Sequence, residues 1–349
     1  MVDSWGGAAS VWHQFLPEEL AERSQFLDAI QIAEILLFPG LTFFVWLGFI
    51  FEWLDRKTTA RMQGRLGPIL AGPRGILQPV ADFFKLTTKE EIIPEFSDKL
   101  VYEWGPPLFF AAPAIGTIFI PVTGLSAIVS NQFDLLFLLF IFAFSSLMAG
   151  MLGYASAGRF STIAIGRLIL QYTAFEIPLL IAIITPAAIA GSLSVSGIVA
   201  AQANFHWFIF FAPVSFAVFI IASLAELEKP PFDIPSAKTE IVAGWMTEFS
   251  GRPLAYIKLT KSLSYVFLSA LAASLFLGGT SGPVLTQISL LQNLIYLSYF
   301  LAKVFAIGFA IFALKTALAR VRIDQAASLF WTVLTPLSLF QLGLAIALK

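Results

Sequence analysis

The sequence predicts an all-α, polytopic membrane protein, and three observations support this prediction. First, 58% of the 349 residues are hydrophobic and only 12% are charged, whereas a soluble domain carries roughly a quarter charged residues. Second, apolar stretches of about 20 residues, the length that an α-helix needs to cross a bilayer, recur along the whole chain. Third, backbone groups in lipid must be hydrogen-bonded within their own segment, so these stretches are expected to be helices and not strands.

The apolar stretches predict about eight transmembrane spans in a single membrane domain, residues 30–349. The spans are expected near 30–54, 101–123, 134–157, 163–192, 206–227, 254–279, 288–314 and 328–347. Residues 1–29 precede this domain and are expected to lie outside the cell. They are polar and acidic, without the basic start and apolar core of a cleaved signal peptide.

The basic residues predict the orientation of the spans. Alternate connections contain most of the 21 Lys and Arg residues, and the connections between them contain none. The basic connections lie near 55–99, 158–167, 228–261 and 315–322, and the others near 124–133, 193–205 and 280–287. Because basic loops stay on the cytoplasmic side, both termini are expected outside.

The first basic connection is expected to contain a helix of its own. Residues 75–88 show an apolar stripe at roughly helical spacing, formed by Ile76, Leu77, Val80, Phe83, Phe84 and Leu86. This pattern is typical of an amphipathic helix that lies in the membrane interface without crossing it.

Composition excludes several function classes for this chain. It has no cysteine, so it cannot hold an iron–sulfur cluster through thiolates, and His13 and His206 are too few for a haem or zinc site. A net charge of −1 argues against binding to nucleic acid. We therefore expect neither a metal nor a covalently bound cofactor.

Acidic residues inside the spans are the first candidates for chemistry, because ionisable groups are costly in a bilayer and are seldom left there unpaired. Glu176 lies within the predicted fourth span, nine residues after Arg167, where burial favours proton exchange. The alternative is a structural ion pair with a neighbouring helix. Glu34 and Lys303 are further intramembrane candidates, and each could equally pair structurally.

A second group of acidic residues follows the predicted fifth span. It comprises Glu226, Glu228, Asp233, Glu240 and Glu248. Glu240 and Glu248 are eight residues apart, a spacing that places them on one face of a helix. Such a row, folded inward, can pass protons or respond to a nearby charge. The alternative is a solvated acidic loop, although the proline and aromatic residues between the acids favour a packed one.

Two segments resemble one known family. Residues 55–90 match its signature at Arg56, Lys57, Met62, Gln63, Arg65, Gly67, Pro68, Gly72, Pro73, Gly75, Gln78, Pro79, Ala81, Asp82, Lys85, Lys89 and Glu90. Residues 225–249 match at Ala225, Glu226, Pro231, Phe232, Asp233, Glu240, Val242, Gly244 and Glu248. With these residues the chain resembles the membrane subunit of respiratory complex I (NADH-quinone oxidoreductase) that is called the H subunit or subunit 1, and its relatives in energy-converting membrane-bound hydrogenases.

The resemblance implies a membrane subunit of a redox-driven proton or sodium pump, with no redox centre and no activity alone, in the cell membrane of a prokaryote. It implies two groups of site residues. The floor of a quinone chamber, or the docking surface for a peripheral arm, would use Arg56, Lys57, Arg61, Arg65, Asp82 and Lys85. An acidic proton path would use Glu176, Glu226, Glu240, Glu248, Glu228, Asp233 and Arg167.

The implied substrate is a quinone, and the implied iron–sulfur clusters lie on partner subunits. Those partners are the iron–sulfur and hydrogenase-like subunits of the peripheral arm, small membrane subunits and antiporter-like subunits.

Alternatives remain open at this point. Ser236, Lys238 and Lys261 stand where quinone-linked members of the family usually carry acidic residues. These departures keep a hydrogenase or sulfur reductase without quinone open as the alternative to the quinone-linked complex. A secondary transporter would show two related halves with broken helices, and the sequence shows no such halves. A purely structural anchor would have no use for an acidic residue such as Glu176 inside a span.

Overall fold

The computed structural model describes residues 32–203, 206–283 and 288–347, and these residues form an all-α bundle without a β-strand. The predicted outside segment 1–29 lies beyond the described residues. The main helices are α1 Leu41–Met62, α2 Gln78–Thr87, α3 Lys99–Ile118, α4 Asp134–Ala155, α5 Arg159–Ala190, α6 Pro213–Glu226, α7 Gly251–Phe276, α8 Ser289–Ala317 and α9 Ile323–Ala347.

Six helices within the described ranges are long and apolar enough to cross a membrane. They are Ile32–Met62, Asp134–Ala155, Arg159–Ala190, Gly251–Phe276, Leu291–Ala317 and Ile323–Ala347. Helices α3 and α6, of 20 and 14 residues, occupy the two remaining predicted positions but do not meet the same criterion. The all-helical membrane architecture is therefore confirmed, and eight as the number of spans stays a prediction.

The first helix extends beyond the end of the predicted first span. Helix α1 continues beyond residue 54 to Met62. Charged residues are tolerated in these last turns because Asp55, which is 3% exposed, pairs with Lys315 of α8. Arg56, Lys57 and Arg61 therefore lie on a helix, and the point at which the span leaves the membrane stays a prediction.

The predicted fifth span, 206–227, is interrupted. A short helix, Phe208–Phe211, ends at Ala212, whose φ and ψ are −131° and 54°, and α6 begins at Pro213. Proline has no N–H to donate and disfavours helical geometry in the residue before it. The prediction of one continuous helix over 206–227 is therefore wrong, because the helix is broken at Ala212.

Helix α7 is the centre of the bundle. In its most apolar window 89% of the residues are buried inside the chain, against 50% or less in the other five candidate spans. It packs against α1, α3 and α8, while α5 packs against α4, α6 and α9. Side chains on α7 therefore face other helices on almost every side.

The connections gather at two ends of the bundle in the alternation that the basic residues predict. The basic end comprises the connections 63–98, 156–158, 227–250 and 318–322. There, Asp98 N donates to Ala155 O at 3.1 Å. At the opposite end, Thr280 Oγ1 donates to Gly124 O at 2.7 Å. Which end faces the cytoplasm stays a prediction.

The predicted amphipathic helix is present as α2, which packs against α1 and α7. A tight turn before α2 sets its position. Gly75 has φ 79°, and a Cβ there would overlap the backbone carbonyl of Pro68, so only glycine fits. Phe83 packs on an aromatic ring of α1 at 5.9 Å, whereas Phe84 is 61% exposed. The helix thus has the expected two-sided character.

Glu240 and Glu248 do not share a helical face, and that prediction is wrong. The one-turn helix Lys238–Ile241 ends at Val242, which has φ 60°, and Gly244 with φ 63° begins a separate turn. Left-handed residues at two nearby positions redirect the chain, so no single helix joins the two carboxylates.

Candidate functional site

A cavity of about 310 Å³ lies between α1, α2 and α7 at the basic end. Its charged wall consists of Arg56, Lys229, Lys238, Lys258, Lys261, Glu52 and Asp82, and its apolar wall includes Phe49, Phe83, Leu86 and Leu259. The volume is at the lower end of the range of about 300–1,000 Å³ that small-molecule sites occupy. The mixed wall suits a small molecule with both an apolar and a polar part.

Arg56 joins the two acidic residues of the cavity. Its Nε donates to Glu52 at 3.0 Å and its Nη1 to Asp82 at 2.6 Å, while Gln78 donates to Asp82 at 3.0 Å. Burial acts to raise the pKa of Asp82, but the hydrogen bonds from Arg56 and Gln78 outweigh it and hold the pKa below its usual value of 3.8. Asp82 is therefore a fixed anion that ties α2 to α1.

A second ion pair ties α1 to α8. Asp55 accepts two hydrogen bonds from Lys315 Nζ, at 2.6 and 2.7 Å, and Lys229 Nζ lies 3.9 Å from the same carboxylate. Lys229 Nζ also lies 5.1 Å from the centre of the Tyr265 ring. The two ammonium groups compensate the charge of the buried Asp55, which makes this pair a structural joint.

Glu228 is enclosed by hydrogen-bond donors. Its side chain is 1% exposed and accepts from Lys261 Nζ at 3.0 Å. Trp245 Nε1 donates to both carboxylate oxygens at 3.2 Å, and the Tyr172 hydroxyl donates at 3.4 Å. Since Lys261 belongs to the cavity wall, this side chain connects the cavity to Glu228.

Glu226, at the end of α6, is less well satisfied than Glu228. Its Oε2 atom is buried and has no hydrogen-bond partner within the described ranges. A small cavity of about 10 Å³ adjoins it, close to the space that one water needs. Glu226 interacts electrostatically with Glu176 and Glu228, and the Tyr172 hydroxyl interacts with all three carboxylates. Tyr172 thus contacts Glu228 directly and interacts with Glu226 and Glu176 through their charges alone. Glu226 and Glu228 are called the buried acids below.

Glu240 and Asp233 form ion pairs elsewhere at the basic end. Arg167 donates to Glu240, whose side chain is 50% exposed, and Arg320 binds Asp233 through two hydrogen bonds. The hydrogen bond from Arg167 holds the pKa of Glu240 below its usual value of 4.5. The hydrogen bond with Asp233 raises the pKa of Arg320. Among the described residues, no hydrogen bond joins these pairs to the buried acids, and their place in a proton path stays a prediction.

Glu248 lies near the start of α5. A Cβ at Gly158 would meet its carboxylate, and its backbone carbonyl accepts from the Tyr102 hydroxyl at 3.0 Å. The structure does not bring its carboxylate together with that of Glu240 in a hydrogen bond or ion pair of the described chain.

The remaining basic candidates of the first connection divide into two kinds. Lys57 Nζ donates to Pro68 O at 3.0 Å and so holds the turn before α2. Arg61, Arg65 and Lys85 are exposed at the basic end. Lys57 therefore has a structural contact, and the other three remain accessible to a partner.

Lys303 acts at the opposite end of the bundle. Its Nζ donates to Gly279 O at 2.8 Å and Ser281 O at 2.7 Å, and it lies 5.2 Å from the centre of the Trp207 ring. These contacts hold the 278–281 turn, far along the chain from the cavity wall. Glu34, the other intramembrane candidate, is 6% exposed.

Sequence reasoning missed the partners of Glu228. Lys261 gave a usable signal, since a cation inside a predicted span needs an anionic partner. Trp245 and Tyr172 gave no such signal, because tryptophan and tyrosine occur in many packed loops and helices without binding a carboxylate. No group of three or more His, Asp or Glu in the described ranges is arranged to hold a metal ion.

Comparisons with known proteins bear on this arrangement. The NADH dehydrogenase family model matches residues 34–346. The H subunit of the NADH-quinone oxidoreductase of Thermomicrobium roseum is 36% identical over 310 residues, which cover 84% of this chain and 88% of that protein. The H subunit of the F420H2 dehydrogenase of Methanosarcina mazei is 33% identical over 305 residues, which cover 85% of this chain and 87% of that protein.

A solved structure is similar as well. A chain of the membrane-bound sulfane sulfur reductase, an archaeal respiratory membrane complex, has a TM-score of 0.78 and 28% identity, and the match covers 92% of this chain and 99% of that chain. The family match includes every residue of the cavity wall and of the buried acidic group.

Proposed function

Because the chain belongs to the NADH dehydrogenase family, we propose that it is the membrane coupling subunit of a redox-driven ion pump, the counterpart of the H subunit of NADH-quinone oxidoreductase. The chain is thus a subunit of a membrane-bound oxidoreductase complex. In this role it carries no electrons and has no activity alone. It forms the floor of the chamber in which the electron acceptor is reduced, and it begins the path along which protons, or sodium ions, respond.

The proposal rests above all on the contact between the cavity and the buried acids. Lys261 lines the cavity and donates to Glu228, Tyr172 also donates to Glu228, and Glu226 is two residues away in the chain. Two unit charges about 5 Å apart interact by about 3 kcal/mol at an effective dielectric constant of about 20. Since about 1.4 kcal/mol corresponds to a tenfold change in proton occupancy, a negative charge about 5 Å from one of these acids would change its proton occupancy roughly a hundredfold.

The cavity is the proposed site of acceptor reduction. A quinone has an apolar ring and tail with polar carbonyl oxygens, and the wall offers Phe49 and Phe83 beside the charged Arg56. Asp82 holds Arg56 in place. These contacts support the assignment of Arg56 and Asp82 to the chamber floor.

The basic end supports the docking of a soluble arm. Leu66, Leu70 and Phe96 are 85%, 96% and 87% exposed, in connections that lie outside the helical bundle. Because these residues lie in connections at the basic end and not in a span, we assign them to contact with a protein partner. Arg61 and Arg65 lie in the same region and would add charge complementarity to iron–sulfur and hydrogenase-like arm subunits.

The Arg167–Glu240 pair supports contact with other membrane subunits. Arg167 lies on α5, eight residues from its start, and its side chain is 30% exposed. Its partner Glu240 is 50% exposed in a connection at the basic end, so the pair offers charge to a neighbouring protein subunit. We assign Glu240, Asp233 and Glu248 to the exit of the acidic path, towards small and antiporter-like membrane subunits.

A second candidate is the equivalent subunit of a hydrogenase or sulfur reductase that uses no quinone. The specific observation in its favour is the wall of the cavity, which has five basic and two acidic side chains and so suits an anionic acceptor. The secondary transporter is not favoured, since the family match extends over residues 34–346.

Purification of the tagged chain from its own membranes in mild detergent tests the proposal. We expect iron–sulfur subunits to co-purify. The complex is then reconstituted in vesicles and supplied with NADH, F420H2 or reduced methyl viologen as donor, and with decylubiquinone or polysulfide as acceptor. Ion uptake is followed with a pH-sensitive dye and with radioactive sodium.

Glu226→Gln should keep assembly and electron transfer but lower the number of ions moved per electron, whereas the exposed control Glu95→Gln should not. A chain that purifies alone, or a complex that moves electrons but no ions, contradicts the proposal. Reduction of polysulfide but not decylubiquinone selects the second candidate.

A further inference from the structure

The geometry points to Lys261 as the positioning residue that transmits charge from the cavity to the buried acids, through movement of its ammonium group between Glu228 and the cavity. This inference rests on the proposed function, because it requires a negative charge to form in the cavity during turnover. It adds a specific moving part to the chamber and the acidic path.

Lys261 lies where the two parts of the site meet. Its side chain is 19% exposed, lines the cavity, and carries an Nζ atom 3.0 Å from Glu228 Oε2. Within the described ranges, no other residue of the cavity wall donates a hydrogen bond to Glu228. Lys229, also in the wall, repels the ammonium group. A new anion in the cavity therefore acts on Lys261 directly and reaches Glu228 through it.

Glu228 is built to lose this partner and remain hydrogen-bonded. Trp245 Nε1 donates to both of its oxygens, and Tyr172 donates to one. When the ammonium group leaves, the carboxylate keeps these neutral donors but loses its only ion-pair partner in the described chain. The face of Trp245, 5.1 Å from Lys261 Nζ, offers the cation a favourable surface along the way.

The Asp55–Lys315 pair shows what a fixed pair looks like in the same bundle. Lys315 binds both oxygens of Asp55, and a second cation, Lys229, lies 3.9 Å away. Asp55 and Lys315 line another cavity, of about 490 Å³, and neither lines the cavity between α1, α2 and α7. Lys261, by contrast, binds one carboxylate oxygen and lines the cavity between α1, α2 and α7.

The resulting step involves a proton and no other change in bonding. The acceptor in the cavity gains an electron from the partner subunits, and the ammonium group of Lys261 moves towards the new charge. The uncompensated Glu228 carboxylate then favours uptake of one proton from water by the neighbouring Glu226, whose Oε2 has no hydrogen-bond partner in the described chain. When the negative charge leaves the cavity, Lys261 returns to Glu228 and the proton is released.

The test compares two double variants of the reconstituted complex, each of which removes a whole ion pair. Lys261→Met with Glu228→Gln removes the moving pair without leaving a buried unpaired charge, and Asp55→Asn with Lys315→Met is the matched control. Electron transfer and ions moved per electron are measured with the donors and acceptors named above. We expect both double variants to assemble. Because Lys261 lines the cavity, the rate of electron transfer is recorded for each variant, and the readout is the ratio of ions moved to electrons transferred. Only the first should move at least fivefold fewer ions per electron.

The outcomes separate this inference from the function on which it rests. If the wild-type complex moves no ions, both the proposed function and the role of Lys261 are refuted. If the wild type moves ions and the Lys261–Glu228 double variant matches its ratio, the role of Lys261 alone is refuted.

If that double variant fails to assemble, the single variant Lys261→Arg is used to test whether the lysine must move. Arginine keeps the charge but grips a carboxylate through two hydrogen bonds, so we expect a lower ion-to-electron ratio. A ratio equal to that of the wild type would overturn the inference.

Discussion

Replacing Tyr172 by phenylalanine removes one oxygen atom from the buried acidic group and should have a small structural and a large functional effect. The hydroxyl donates to Glu228 at 3.4 Å, longer than the usual 2.5–3.0 Å of such bonds. A good hydrogen bond to a charged group contributes about 1.5–3 kcal/mol, so this one is worth about 1 kcal/mol at most. The carboxylate keeps its donors from Trp245 and Lys261, and the new ring keeps its edge contact with Phe175.

We therefore expect Tyr172→Phe to lower the Tm in detergent by only about 2–4 °C, the usual change for about 1 kcal/mol in a domain of this order of size. A positioned group in a proton transfer contributes about 10²–10⁴-fold in rate. If the hydroxyl links Glu228 to Glu226, the rate of ion transport should fall at least about tenfold. Vesicle transport and thermal unfolding are measured on the same preparation.

Tyr265→Phe is the matched control. Tyr265 is 1% exposed, and its hydroxyl has no hydrogen-bond partner within the described ranges. Because an unsatisfied buried hydroxyl costs about 1–3 kcal/mol, its removal should leave the Tm unchanged or raise it, with transport intact. Equal transport in both variants would show that the Tyr172 hydroxyl is not part of the path.

Three further predictions concern stability. Asp55→Asn leaves Lys315 buried without its anion and should cost about 3–5 kcal/mol; addition of Lys315→Met should recover most of the loss in thermal unfolding, and equal unfolding of the single and double variants would contradict this. The pKa of Asp82 is lowered in the folded chain, so the wild type should be more stable than Asp82→Asn at pH 5–8, and the difference should shrink below a pH of about 4 as the carboxylate is protonated. A difference that is unchanged at pH 3 would refute that account. Lys303→Met should speed hydrogen exchange in the 278–281 turn while ions moved per electron stay the same, as mass spectrometry and vesicle transport would show.

The positions of the helices follow from apolar length, which is a local property of the chain. The ends of the helices cannot be predicted in this way, because non-local contacts decide how many charged residues a helix can include. Helix α1 continues past the predicted end since Asp55 meets Lys315, a residue 260 positions away. The break before Pro213 was readable in principle, because the effect of proline on the preceding residue is local, but hydropathy averaged over a window conceals it.

The acidic residues show a sharper limit. Glu226 and Glu228 are two residues apart and equivalent in the sequence, yet one lacks a partner for a buried oxygen and the other accepts from Lys261, Trp245 and Tyr172. Those donors come from three separate elements, so only the packed structure assigns them. Spacing also failed for Glu240, because it assumes a helix that the left-handed Val242 ends.

The composition of α7 has a consequence for how the chain enters the membrane. This helix has the lowest mean hydropathy of the six candidate spans, 1.4, and it carries Lys258 and Lys261. A lysine near the centre of a spanning helix costs about 2.5–3.5 kcal/mol on the insertion scale, so α7 partitions poorly into lipid by itself. The ribosome makes α1, α3 and Glu228 first, so the packing surfaces and the counter-ion are already in place when the helix that needs them leaves the translocon.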